Sequence, residues 1–235
     1  MLPEERRRIV SDSLAVAVAT GAYGISFGAI AVSSGLDVPQ ACALSLLVFT
    51  GASQFAFVGV IAAGGAPLLG AASGLLLGVR NTLYGLKLAP LLGWHGVRRT
   101  AAAHLVIDES TAMSVTRESP EAARVGFLTT GIGVFVLWNL STLIGALAGD
   151  ALGDPRDYGL DSAVGGAFLA LLWPRLSTTT ARLTALLAAG LATVLIPITS
   201  AGIPVLAAGV VALGLGLRSR PGPPPTPAPT PGAGP

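Results

Sequence analysis

Three stretches of this chain place polar or ionisable side chains inside otherwise apolar sequence, where chemistry is costly and therefore informative. The first is Phe49-Thr50-Gly51-Ala52-Ser53-Gln54-Phe55. Glycine weakens a helix, and a break at membrane depth frees backbone N–H and C=O groups that can line a cavity and hold a carboxylate or an amino group. Gly51, Ser53 and Gln54 are thus candidate substrate-binding residues. Phe55 and Phe57 would supply apolar lining. The alternative is that Ser53 and Gln54 bond to a neighbouring helix and only fasten it. The second stretch is Arg80-Asn81-Thr82-Leu83-Tyr84-Gly85-Leu86-Lys87, in which Arg80, Tyr84 and Lys87 share one helical face. An arginine inside a span costs at least about 2.5 kcal/mol on insertion scales, so it turns toward protein or water and takes a partner. Arg80, with Tyr84 one turn away, is a candidate for a substrate carboxylate or an acidic side chain. Lys87 is nearer a helix end and can reach the headgroups.

The third stretch is His104-Leu105-Val106-Ile107-Asp108-Glu109-Ser110-Thr111. In a continuous helix His104 and Asp108 would lie one turn apart on one face, with Thr111 beyond. Desolvation and a nearby cation pull a carboxyl group's proton affinity in opposite senses. Asp108 or Glu109 is therefore a candidate proton carrier, and His104 a candidate relay. The competing reading is a static Arg80–Asp108 or Lys87–Glu109 pair that holds two helices together.

Other chemistries lack their residues. No H-E-x-x-H motif is present, and His95 stands beside a turn, away from any shared ligand face. There is no G-x-S-x-G and no Gly-rich phosphate loop. Neither an enzyme, a metal site nor a cofactor is expected. Cys42 sits alone in an apolar run and reads as a small core residue. Two G-x-x-x-G stripes, Gly24–Gly28 and Gly145–Gly149, offer flat surfaces for close helix packing or for sliding.

The elements that must carry these residues follow from composition. Of 235 residues, 52% are hydrophobic and 11% charged, against roughly 25% charged in soluble domains, and mean hydropathy is +0.72. Between Ser13 and Leu92 the charged residues are Asp37, Arg80 and Lys87, too few to solvate a surface. The expected fold is all-α, a polytopic transmembrane bundle of seven or eight helical segments, some short or broken. Spans are expected at Leu14–Ser34 (capped by Ser11 or Asp12), Val38–Ala63, Pro67–Leu92, Thr100–Thr116, Val125–Ala148, Leu160–Trp173, Leu183–Ile196 and Ile203–Leu217. Nucleic acid is not an expected partner, since no basic patch interleaved with aromatics occurs.

Positive charge marks the cytoplasmic side. This places Arg6–Arg8, Arg175 with Arg182, and Arg218 with Arg220 inside, and the acidic turns at Asp37 and at Asp150–Asp161 outside. Under eight plain crossings His95, Arg98 and Arg99 would fall outside, which argues for broken or re-entrant helices between Pro67 and Thr116. Three regions result: a cytoplasmic basic lead (1–12), a transmembrane transporter domain (13–217) and a disordered Pro-rich cytoplasmic tail (218–235). A short echo, Gly21-Ala22 with Gly35-Leu36-Asp37 against Gly145-Ala146 with Gly159-Leu160-Asp161, raises an internal duplication.

The run F-T-G-A-S-Q-F (49–55), then R-N-T-L-Y-G-L-K-L-A-P (80–90), then Asp108-Glu109, in this order and at these intervals, resembles the AzlC family. The resemblance extends from about Ala17 to Trp173 and takes in Trp138, Gly145 and Gly149. It implies the large subunit of a bacterial exporter of leucine, isoleucine and valine, and often of methionine, in the cell membrane. It also implies proton exchange and a small AzlD-type membrane partner. The family's usual N-x-R-H before L-Y-G reads Gly78-Val79-Arg80-Asn81 here; if that His carries the proton in relatives, this chain must use Asp108 or Glu109, be coupled differently, or prefer another substrate. The rival expectation is a membrane scaffold that transports nothing and whose intramembrane polar residues only pair helices.

Overall fold

The structure, a computed structural model, describes residues 1–152, 169, 172, 173 and 176–218. Among these residues it is wholly helical. The segment Leu160–Trp173 and the Pro-rich tail fall almost entirely outside them, and Gly159-Leu160-Asp161 of the echo, Arg175 and Arg220 lie outside them. Ten helices are described where seven spans are expected in the same residues, because three of those spans are divided. They are α1 (Pro3–Ala22), α2 (Gly24–Ser33), α3 (Val38–Leu47), α4 (Gly51–Ala62), α5 (Pro67–Leu92), α6 (Gly96–His104), α7 (Asp108–Val115), α8 (Pro120–Leu152), α9 (Thr179–Leu195) and α10 (Ile203–Arg218).

The first helix starts at Pro3, so Ser11 and Asp12 lie inside it and do not cap it. Proline at the first turn and Glu4 and Glu5 beside it favour that earlier start. At α3 the start is made by Asp37 and Gln40, each side chain bonding the other's backbone N–H at 2.7 and 3.0 Å. Residues 3–33 and 120–151 are each long and apolar enough to cross a membrane. On α8, Ile132, Val136, Leu140, Ile144 and Leu147 form an exposed apolar stripe, while Phe127, Thr130, Val134, Trp138, Thr142 and Ala146 are buried on the opposite face. Such a stripe suits lipid.

α1 and α2 run parallel to α8. The N-terminal ammonium meets Glu121 at 3.0 Å, Ile9 lies at Gly126, Ala17 at Gly133, Gly21 at Leu137 and Ala29 at Gly149. The two G-x-x-x-G stripes are each other's partners. A methyl group on Gly28 would strike the Thr142 carbonyl, and one on Gly145 the Ile25 carbonyl. The backbones therefore touch, the geometry that small residues allow in lipid. Behind this seam Tyr23, Phe27, Phe55 and Trp138 form an aromatic cluster, with Phe27 and Phe55 edge-to-face at 5.4 Å. Phe55 belongs to that core and not to a cavity lining. Cys42 is half-buried instead of sitting in the core.

The span expected at Val38–Ala63 is a hairpin. Ser45 touches Thr142 far along α8, Phe49 descends to Phe135 near the middle, and α4 then climbs past Gly74 and Gly70 of α5 to the turn at Gly64 and Gly65. Both its ends lie at the Asp37 end of the bundle. α5 returns through the full thickness, and its last carbonyl, Leu92, accepts from Arg124 at 2.8 Å near the start of α8. α6 and α7 make the opposite hairpin: Leu105 reaches Gly131, and Met113 is back at Gly126. His95, Arg98 and Arg99 thus share an end with Arg6–Arg8, and the conflict over their side disappears. α9 leads to, and α10 away from, a turn whose Ala201 and Gly202 pack on Gly65 and Leu69 at the other end.

Candidate functional site

Two hairpin tips, residues 48–50 and 105–107, meet near the middle of the bundle beside the centre of α5. Each tip leaves a helix C-terminus and a helix N-terminus at mid-depth, with backbone groups that no helix satisfies. The sequence supplies side chains for several of them. Gln54 Nε2 donates to the Leu44 and Ser45 carbonyls at 3.3 and 3.4 Å, and Gln54 Oε1 accepts from Trp138 Nε1 at 3.1 Å. His104 Nε2 bonds the Leu46 carbonyl at 2.9 Å, with its ring against Phe49 and Phe135. Gln54 and His104 therefore cap the end of α3, one from within its hairpin and one from the opposing hairpin.

The second tip is held from α5 and from its own serine. The Ser110 hydroxyl donates to the Leu105 carbonyl at 2.6 Å and accepts from the Ile107 N–H at 3.1 Å. Asn81 Nδ2 donates to the Val106 carbonyl at 3.1 Å. Its neighbour Arg80 pairs with Asp108 at 3.1 Å, both side chains little more than a quarter exposed. Asp108 opens α7, so its carboxylate also sits at the positive end of that helix. Because the chain breaks at Leu105–Ile107, His104 and Asp108 belong to different helices and share no face. Glu109 follows in the first turn of α7, half-buried. Tyr84 packs against the cluster of Leu88, Leu92, Val106 and Phe127, and Lys87 is exposed.

A cavity of about 940 Å³ runs along α5 from Ala71 to Leu92, past both tips, to Trp94 and Arg99. Its walls are largely apolar, with Leu44, Phe57, Leu75, Val79, Leu86 and Phe127 among them; Thr50, Ser53, Asn81, Thr82 and His104 supply polar atoms. Of the candidate residues singled out from the sequence, Ser53, Phe57 and His104 stand on this wall. Gly51 packs on the Trp138 indole, where a methyl group would come within 3.1 Å, and Gln54 is fully buried. Arg80, Tyr84, Asp108 and Glu109 lie outside the described lining.

Asn81, Thr50 and Ser110 escaped the sequence reading. Asn81 had a visible signal, an amide beside an arginine at mid-span, where an unbonded polar group is costly. Thr50 and Ser110 had none, since hydroxyl residues are common in spans.

Residues 15–152 match the AzlC protein family. No curated protein and no solved structure matches the chain. The matched stretch covers both hairpins and the long helices that flank them, so the chain belongs to the AzlC family, whose members are membrane-transport subunits.

Proposed function

We propose that the chain is the large subunit of a secondary transporter that exports branched-chain amino acids, with methionine also accepted, in exchange for protons. The observation that carries this reading is the meeting of two opposed hairpin tips beside one apolar cavity. Discontinuous helices at mid-depth are the usual construction of transporter binding sites, and the cavity walls suit a leucine-like side chain. Asp108 is the proton acceptor in this reading. Protonating it removes the charge that Arg80 holds, which loosens the α6–α7 tip from α5. The Arg-rich end, with the N-terminus, faces the cytoplasm of the cell by the positive-inside rule, and a small AzlD-type subunit completes the complex.

Counterflow of labelled leucine in vesicles holding this chain, with and without its partner, tests the reading. Exchange that needs the chain supports it; no exchange with both subunits present overturns it. One observation favours a second reading. Gln54, His104, Asn81 and Ser110 all bond to backbone or to Trp138, as they would in a scaffold. A complex that assembles and moves no amino acid would establish that reading.

A further inference from the structure

The two helix N-termini at mid-depth differ in what occupies them. At α7 the chain provides its own anion, Asp108, in the first turn. At α4 it provides none. The first intrahelical bond there is Gln54 N–H to Thr50 C=O at 3.1 Å, so the N–H groups of Gly51, Ala52 and Ser53 lie ahead of it. No side chain caps them.

A second observation points the same way. Ser53 is 2% exposed; its hydroxyl has no hydrogen-bond partner, and the residue stands on the cavity wall. The Thr50 hydroxyl beside it on that wall is likewise unpartnered. Across from Ser53, α5 carries Gly78, whose built methyl group would lie 3.5 Å from the Ser53 oxygen. The glycine has no side chain to bond that hydroxyl. Buried donors without acceptors are costly, and two of them stand together at the positive end of this half-helix.

We propose that the N-terminus of α4 is the carboxylate subsite of the cavity: the Gly51, Ala52 and Ser53 N–H groups and the Ser53 and Thr50 hydroxyls bind the carboxylate of an acid whose apolar tail lies along α5. The proposal rests on the export reading for its substrate, an α-amino acid, and separates the carboxylate from Arg80, which Asp108 holds. A carboxylate at a helix N-terminus gains both the unpaired donors and the dipole.

The test uses the full chain with its partner in vesicles. Ser53→Ala is expected to raise the half-saturation concentration for leucine about tenfold, with maximal flux kept. The variant should also narrow the preference for leucine over leucine amide. Unchanged half-saturation, or equal competition by the amide in the unaltered protein, overturns the subsite. A readout independent of flux is Ser53→Cys in a Cys42→Ser background, labelled with a small methanethiosulfonate. Isovalerate is expected to protect that cysteine and isoamyl alcohol to leave it reactive. Protection without any leucine export would keep the subsite and defeat the exporter. A cysteine that the reagent never reaches, or that both compounds treat alike, overturns the subsite whatever the flux.

Discussion

Arg80, at the centre of α5, and Asp108, the first residue of α7, meet at 3.1 Å and tie the tip of one hairpin to a helix that runs the full length of the bundle. Removing Arg80 takes its ion-pair partner from the half-buried Asp108 carboxylate, and removing Asp108 takes it from Arg80. Arg80→Ala is expected to abolish leucine export while the protein still inserts and binds its partner. In a double-mutant cycle with Asp108→Asn, the coupling read from thermal unfolding should be about 1–3 kcal/mol. Export at the normal rate in Arg80→Ala would remove the pair from the transport cycle.

Proton exchange separates Asp108 from His104. His104 already spans to the Leu46 carbonyl, a bond that an asparagine amide can imitate. The pH dependence of leucine efflux should therefore flatten in Asp108→Asn and persist in His104→Asn. The opposite pattern would make the histidine the carrier.

Gln54, fully buried, serves two carbonyls and one indole N–H. Gln54→Leu removes the side-chain partner of the Ser45 carbonyl and of the Trp138 N–H and leaves the Leu44 carbonyl with the Val48 N–H, and unfolding in detergent should be easier by about 2–4 kcal/mol. A melting temperature within a degree of the parent would show that the α3 end is capped by other means.

The seam between α2 and α8 leaves no room for side chains. Gly28→Ala or Gly145→Ala drives a methyl group into opposing backbone, and a loss of about 1–3 kcal/mol or more is expected. Gly85→Ala, with open space around the same position, should change little. Yield and melting temperature of the three variants in detergent check the contrast.

The opposed hairpins predict a labelling pattern. In a Cys42→Ser background, cysteines at Asp37 and Ala63 should react with an impermeant reagent from the same side. Cysteines at His95 and Glu118 should both react from the other. Labelling of Asp37 and Ala63 from opposite sides would restore a plain crossing for that segment.

Much of this architecture is legible in the residues themselves. A run such as Pro67–Leu92 is long enough to cross a membrane, and its helix has those bounds. The break near Gly51 follows from glycine and polar residues at depth, and the twin glycine stripes announce a close seam. Arg80, Gln54 and Asp108 are conspicuous because polarity in lipid is costly.

What local sequence cannot hold is direction. Twenty-six apolar residues can cross about 30 Å of hydrocarbon once, or enter and leave as two half-helices of about 15 Å each, at similar hydrophobic gain. Only contacts far apart in the chain choose between these: Ser45 with Thr142, Phe49 with Phe135, and Ser53 opposite Gly74 turn the first hairpin back. The same contacts decide roles. Gln54 and His104 become caps because the α3 carbonyls end beside them, Arg80 becomes a tether because Asp108 arrives at its face, and Ser53 is left with its hydroxyl free. Residue type set which groups need partners at depth; tertiary packing determined which of them found one.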